Sequence, residues 1–412
     1  MLIGAVIATA VGSGVSFWAL GLYIKPLEAE FGWSRAEVTA GFSISLLAAG
    51  LAGPLIGKWV DIRGPRSAII IGAVLTAAAY LLLAMTRSLW QWYAFLTINA
   101  VVRNFMFYIP FQALISRWFS RRRGLAIALF NAGFALGGTV VVPLMRIVID
   151  TVDWDGSFVF SSIVTLAFYL PVGVFIIRNR PEDVGAGMDG DPFQKAEAGV
   201  LPAPLPGLTP GQAIRTPMFW IIALALASLF YGMFGWLVHQ VPYYESVGVS
   251  RSTAAAIVSL VAGCNFLARL TFGVLIDRIR NVEPLGMALL LFLMAGMTTL
   301  IIGSAGGIPV FIVFWAIGTG GAPLLEPLLL TRAFGVAHFA TILGLTGAIE
   351  TMGQILSPTI AGAIFDSTGS YDWVLVMYLS TFVLAFGLLF LATRLRRPLI
   401  PQAGPERVVA AA

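Results

Sequence analysis

Cysteine occurs once in this chain, at Cys264, and histidine twice, at His239 and His338. A lone cysteine excludes an internal disulfide, and one cysteine with two distant histidines offers no metal-ligand spacing, so neither metal nor cofactor is expected. There is no Gly-x-x-x-x-Gly-Lys phosphate loop and no nucleophile arranged with a histidine and an acid. An ATP-driven pump is thereby excluded, and the chain is not expected to be an enzyme. Charge is scarce as well. Only 11% of the 412 residues are charged against 58% hydrophobic, and the mean hydropathy of +0.90 belongs to no soluble globular domain. Short alternating strands, the mark of a membrane β-barrel, are missing too.

What the chain has is twelve apolar runs, each near the roughly 20 residues that a bilayer-spanning helix needs. They lie at about 3–24, 38–58, 67–86, 92–116, 124–148, 158–178, 217–241, 253–275, 284–303, 308–330, 340–364 and 374–394, and predict transmembrane helices α1 to α12 of an all-α membrane protein. Of the 25 Lys and Arg, Lys25, Arg35, Arg87 and Arg251 fall in loops that follow odd-numbered helices. Arg103, Arg146 and Arg269 lie within apolar runs, and the rest fall in loops after even-numbered helices or in the C-terminal tail. Basic loops stay in the cytoplasm, so both termini are expected there. The isoelectric point near 9.5 therefore reflects topology, with the lipid bilayer and not nucleic acid as partner. No cleavable signal is expected, because the first run is long and lacks a small-residue cleavage site.

The same punctuation is written twice. Pro26, Gly32, Ser34 and Arg35 recur as Pro242, Gly248, Ser250 and Arg251, while Gly57, Asp61 and Asp150 recur at the same offset as Gly273, Asp277 and Asp366. A parallel repeat of two hydrophobic halves is how a secondary transporter builds a central site around which two bundles rock. The expected organisation is two pseudosymmetric six-helix bundles, 1–178 and 217–394, joined by a cytoplasmic linker, 179–216, and followed by a cytoplasmic tail, 395–412. The linker is rich in Pro, Gly and Asp, ends in Pro202, Pro204, Pro206 and Pro210, and cannot bury enough apolar surface to fold alone.

Between the second and third runs stand Gly57, Asp61, Gly64 and Arg66, a Gly-three-Asp-two-Gly-one-Arg pattern that resembles the signature loop of the major facilitator superfamily. Glycine at 57 permits close helix approach, and Asp61 can meet a helix N-terminus or an arginine on the neighbouring bundle. Asp277 and Arg278 form a partial second copy without the later Gly and Arg. These six residues are expected to stabilise one gated state; the alternative is an ordinary charged turn.

A finer resemblance runs through Trp118, Phe119, Arg121, Arg122 and Arg123 into Ala132, Gly133, Gly137, Pro143 and Leu144. It continues with His239, Pro242 and Tyr243, then Thr331, Arg332, Phe334 and Gly335, then Gly362, Asp366, Gly369 and Tyr371. Over nearly the whole chain this is similar to the bacterial branch related to monocarboxylate transporters and oxalate/formate antiporters. The resemblance implies the major facilitator fold, residence in a bacterial cytoplasmic (inner) membrane and secondary active transport; function as a monomer is expected.

In that family one arginine on α8, four residues after an Asp or Asn, anchors the substrate carboxylate. Asn265 and Arg269 match, and their spacing puts them on one helix face. A guanidinium suits a carboxylate fork, and at mid-membrane it costs ~3 kcal/mol, so it requires a polar partner. The alternative is a structural ion pair with an intramembrane glutamate. On α4, Asn104, Tyr108 and Gln112 follow at four-residue steps; the family implies that this helix faces the cavity, and interhelical hydrogen bonding is the alternative. Arg103 reads either as a second substrate cation or as a side chain snorkelling toward the outer leaflet. His239, whose repeat mate is Tyr23, matches a substrate-contacting family histidine or is an interfacial one.

Glu326 and Glu350 lie midway along α10 and α11. A carboxyl in an apolar interior is cheapest neutral, which makes either a candidate proton carrier, and a static salt bridge to Arg269 or Arg103 is the alternative. Glu326 resembles the family's α10 glutamate. Glu350 stands at a depth where oxalate/formate members are expected to carry a lysine, and no lysine occurs around Ser16, Phe17 and Trp18, where mammalian-type members have one. The expectation is a proton-coupled symporter of a small organic monocarboxylate, with Arg269, Asn265, Tyr108, Asn104 and His239 at the substrate. Rivals are an antiporter or exporter of organic anions or drug-like metabolites, and a non-transporting membrane sensor, for which the linker is too short.

Overall fold

The computed structural model describes residues 1–192, 205–279 and 281–395. The expected tail and the linker prolines Pro202 and Pro204 lie outside the described residues, Leu395 excepted.

Eight helices follow the apolar runs singly: α1 Leu2–Phe31, α2 Arg35–Arg63, α3 Pro65–Ala84, α4 Leu89–Trp118, α7 Pro217–Ser246, α8 Arg251–Ile276, α11 Phe339–Thr368 and α12 Asp372–Arg394. Two further runs, Arg123–Ile176 of 54 residues and Glu283–Phe334 of 52, are each long enough to cross a bilayer twice. The first breaks at Val152 and Asp153, where Asp153 takes φ 61, and gives α5 (123–151) and α6 (154–176). The second turns at Ser304, φ 45, between α9 Glu283–Gly303 and α10 Ile308–Phe334. Twelve spans result, and the protein is a multi-pass, all-helical membrane protein.

The repeated punctuation is chain-reversal chemistry. Gly32 and Gly248 adopt φ 69 and φ 85, which a side chain would resist, just after α1 and α7. Two residues later Ser34 and Ser250 cap α2 and α8, accepting the Glu37 and Thr253 N–H groups at 3.2 Å each. Glu37 returns the favour by accepting the Ser34 N–H at 2.8 Å, closing a capping box. Arg35 and Arg251 then reach back to Glu28 and Glu245, at 3.3 and 3.8 Å.

The chain packs as two compact units. Of the described residues, one unit comprises Met1–Ala213 together with Phe334–Leu345; the other comprises Ile214–Ala333 and residues 346–395. In the first, Tyr23 stacks on Phe158 with ring centres 4.4 Å apart, among buried Tyr80, Trp92 and Trp154. In the second, Trp236 meets Phe311 at 5.1 Å and Phe311 stacks on Trp315 at 5.3 Å. The outward surface is apolar, with Leu55, Phe175 and Ile302 exposed by 73, 74 and 82%, as lipid solvation demands. The described ends of the expected linker borrow backbone partners from the first unit. Pro206 C=O accepts the Val336 N–H at 2.9 Å, and Leu208 N–H donates to Phe334 C=O at 2.8 Å.

Candidate functional site

Each position of the α2–α3 motif has a physical task within the first unit. A Cβ on Gly57 would lie 2.1 Å from the Ala340 carbonyl oxygen, and one on Gly344 would lie 2.3 Å from that of Gly53, so glycine alone allows α2 this close to the first turns of α11. The Asp61 carboxylate then caps α11. Its oxygens accept the N–H of Ala340 at 3.1 Å and of Thr341 at 2.8 Å, and the Thr341 hydroxyl at 2.6 Å. Buried Arg117 stands 3.8 Å away. Gly64 turns the chain at φ 86, a conformation that favours glycine. Arg66 holds the other helix pole, donating to the Gly173 and Val174 carbonyls at the end of α6 at 3.2 and 2.9 Å, while its backbone N–H donates to Asn179 at 3.0 Å. Asp61 and Arg66 therefore serve different helices. In the partial copy, Asp277 is the residue that closes α8 and Arg278 is exposed.

In the second unit, Asn265 and Arg269 are brought together as their spacing requires. Arg269 Nη2 donates to Asn265 Oδ1 at 3.3 Å, Asn265 Nδ2 donates to the Thr319 hydroxyl at 2.8 Å, and Thr319 donates to the Trp315 carbonyl at 2.6 Å. This order of donors fixes the amide orientation of Asn265 and ties Arg269 to α10. Gly320 lets α8 and α10 meet there, since a Cβ on it would lie 2.6 Å from that of Ala268. As an amide, Asn265 orients the guanidinium while contributing no charge to cancel it. Neither Thr319 nor Gly320 carried a signal in the sequence, because small residues are ordinary in apolar helices.

Glu326 and Glu350 are also brought together, each 4% exposed. Glu350 faces Glu326 within hydrogen-bonding reach, and Thr346, one turn before Glu350, donates to Glu326 Oε1 at 3.4 Å. A hydrogen bond between two carboxyl groups requires a proton on one of them. Pro323 and Pro327 flank Glu326 and remove two helix donors from α10, so this stretch is held less by its own ladder than its neighbours are.

His239 bridges α7 to α11 and the α11–α12 turn: Nε2 donates to the Pro358 carbonyl at 2.9 Å, leaving Nδ1 to face the Tyr371 hydroxyl at 3.3 Å. Its repeat mate Tyr23 is wholly buried in the first unit's core against Ser157, so the two rings do not present equivalent polar faces. The four-residue stripe expected on α4 is interrupted. Regular helix stops at Arg103 and resumes at Tyr108, because the ring of Pro110 conflicts with the carbonyl of Met106 one turn earlier. Asn104 closes the first segment and donates to the Ala49 carbonyl on α2 at 2.9 Å. Tyr108 opens the second, its ring 6.3 Å from that of Phe130, and Gln112 is wholly buried.

Residues 6–331 and 238–411 match the family model of the Major Facilitator Superfamily. The chain is 26% identical over 403 residues to monocarboxylate transporter 4 of Rattus norvegicus, covering 95% of this chain and 82% of that protein. It is 25% identical over 407 residues to the oxalate:formate antiporter of Oxalobacter formigenes, covering 96% and 92%. Among solved structures, the outward conformation of the transporter FucP aligns with a TM-score of 0.70 and 14% identity over 95% of this chain and 99% of that one. The proton:xylose symporter XylE aligns with 0.70 and 14% over 94% of each. At such identity these two likenesses carry the fold alone.

Proposed function

Because the chain belongs to the Major Facilitator Superfamily, and is a transporter and not an enzyme, we propose that it carries a small organic monocarboxylate together with a proton. The observation that carries this reading is Arg269, oriented by a neutral amide on its own helix. A guanidinium so placed is shaped for a carboxylate, and an aspartate in place of Asn265 would compete for it. The named curated relatives are a monocarboxylate transporter and an oxalate:formate antiporter, which supports an anionic substrate. The buried Glu326–Glu350 pair supports the proton, since a carrier loaded with one carboxylate and one proton reorients without exposing net charge to lipid. Tyr108 is retained as a substrate contact. Asn104 and His239 hold their helices in place, and Asp61, Arg66 and Asp277 stabilise one gated state, with both termini in the cytoplasm of a bacterium.

The test is uptake of formate, acetate and lactate into proteoliposomes under an inward proton gradient. Arg269→Lys keeps the charge and loses the fork, so uptake of the transported acid should weaken roughly tenfold to a hundredfold, as expected for a charged hydrogen bond worth about 1.5–3 kcal/mol. Unchanged saturable uptake in that variant would remove Arg269 from the site.

A further inference from the structure

The first unit holds a second intramembrane cation that this transport scheme does not use. Arg103 ends the first segment of α4 deep in the protein, yet part of its surface stays accessible. Its Nη1 donates to the Ser16 carbonyl at 2.8 Å, and among the described residues no Asp or Glu pairs with it. A guanidinium carries five N–H donors and stays protonated, so one carbonyl satisfies little of it. Hydroxyl groups reach the same turn of α1. Tyr169 is wholly buried with its oxygen against Gly12, where a Cβ would lie 2.0 Å from it. Tyr80, 2% exposed, turns its hydroxyl toward Ser16, whose own Oγ donates to the Gly12 carbonyl. Both phenols lie within range of the Arg103 charge, and neither phenolic oxygen makes a hydrogen bond of good geometry among the described residues.

The Gly12–Ser16 turn thus gathers, from α3, α4 and α6, a permanent cation and two phenols without a well-formed hydrogen bond among the described residues. The Ser16 carbonyl already serves Arg103, and the Gly12 carbonyl serves the Ser16 hydroxyl. Water can satisfy a phenol, but only an anion answers the charge and the donors together. We propose that Arg103, Tyr80 and Tyr169 form a binding site for one small monovalent anion, a halide or a small carboxylate, within the first unit and independent of Arg269. The rival role is a plain cap on the carbonyl end of the first segment of α1.

Thermal unfolding of the purified full-length protein decides between them. It is titrated with sodium chloride, and separately with sodium formate, at constant ionic strength held by sodium isethionate. The wild type and Arg269→Lys should both show saturable stabilisation, and the stronger of the two titrations identifies the anion. In the Arg269→Lys background, Arg103→Gln should abolish it, and Tyr80→Phe or Tyr169→Phe should raise the midpoint concentration about tenfold. A flat response to both salts in the wild type, or an unchanged response to Arg103→Gln in that background, overturns the site. Should Arg103→Gln not fold, the two Phe variants in the Arg269→Lys background decide, and unshifted midpoints in both overturn it. Normal uptake by Arg269→Lys would sink the carboxylate-anchor reading and leave this result standing.

Discussion

Asn265 matters because it is neutral and because both of its amide atoms are used. Replacing it by leucine keeps the volume and removes the bonds to Arg269 and Thr319. The guanidinium should then lose its orientation, and the KM for the transported acid should rise about tenfold, equivalent to ~1.4 kcal/mol, with a smaller change in maximal rate. An unaltered KM would mean that Asn265 does not position Arg269. His239 carries the opposite expectation. With its nitrogens turned to Pro358 and Tyr371, His239→Phe should cost roughly 0.6–1.7 kcal/mol of stability, the range of interhelical hydrogen bonds in membranes, and move KM less than twofold. A tenfold KM effect at full stability would restore the substrate contact. The Asn265–Arg269 pair was legible because both residues share one helix at a fixed spacing. The third member, Thr319, lies on another helix, and a side chain that small leaves no mark in a hydrophobic run.

At the scale of elements, the α2–α3 motif is two helix ends held by two charges. Asp61 faces the amide pole of α11 and Arg66 the carbonyl pole of α6. Asp61→Asn keeps an acceptor and removes the charge, so it should slow counterflow exchange severalfold while equilibrium binding of substrate stays within about twofold; each contact is worth up to ~2 kcal/mol. Binding that falls as steeply as exchange would contradict a purely conformational role. A related device secures α5. The Asp189 carboxylate accepts the N–H groups of Ser120, Arg121 and Arg122 just ahead of that helix. Partial burial alone would push this carboxyl up, but those three donors and the Arg121 charge outweigh it and hold it below the usual carboxylate range. A depressed folded value means that the stabilisation is complete above the unfolded value near ~3.9 and is lost as pH falls through the folded one. Asp189→Ala should therefore lower the melting temperature at pH 7, and the gap from the wild type should shrink on acidification below about pH 4; a gap that does not change with pH would exclude the charge as its origin. The break in α4 was open to reading too. Pro110 stands two residues after Tyr108, and its conflict one turn upstream ends the helical phase that the four-residue stripe presumed.

For the molecule as a whole, twelve spans were legible because a span that is not a barrel strand must be a long apolar helix, and the repeat was legible because left-handed turns and helix caps admit few residue types. What the sequence does not carry is the division of packing. Residues 339–345 of α11 group with the first unit although α11 follows the second half's punctuation, and only the glycine approach at 53, 57 and 344 makes this possible. The rest of α11 stays with the second unit and brings Glu350 to Glu326, where the coupling hypothesis stands. A carboxyl pair that shares a proton can release it only if one member exchanges its partner. Of the two, Glu326 has Thr346 as a further donor, so it can remain solvated by protein when the pair opens. Glu326→Gln keeps shape and hydrogen bonding but can no longer gain or lose a proton. It should bind substrate and perform counterflow at near wild-type rates, yet fail to accumulate substrate under an imposed proton gradient. The wild type should accumulate more as the outside is acidified, and Glu326→Gln should not respond. If that variant still accumulates, Glu326 is not the coupling site; if Glu350→Gln alone abolishes accumulation, the proton travels on α11 and Thr346 serves only to hold Glu326 in place.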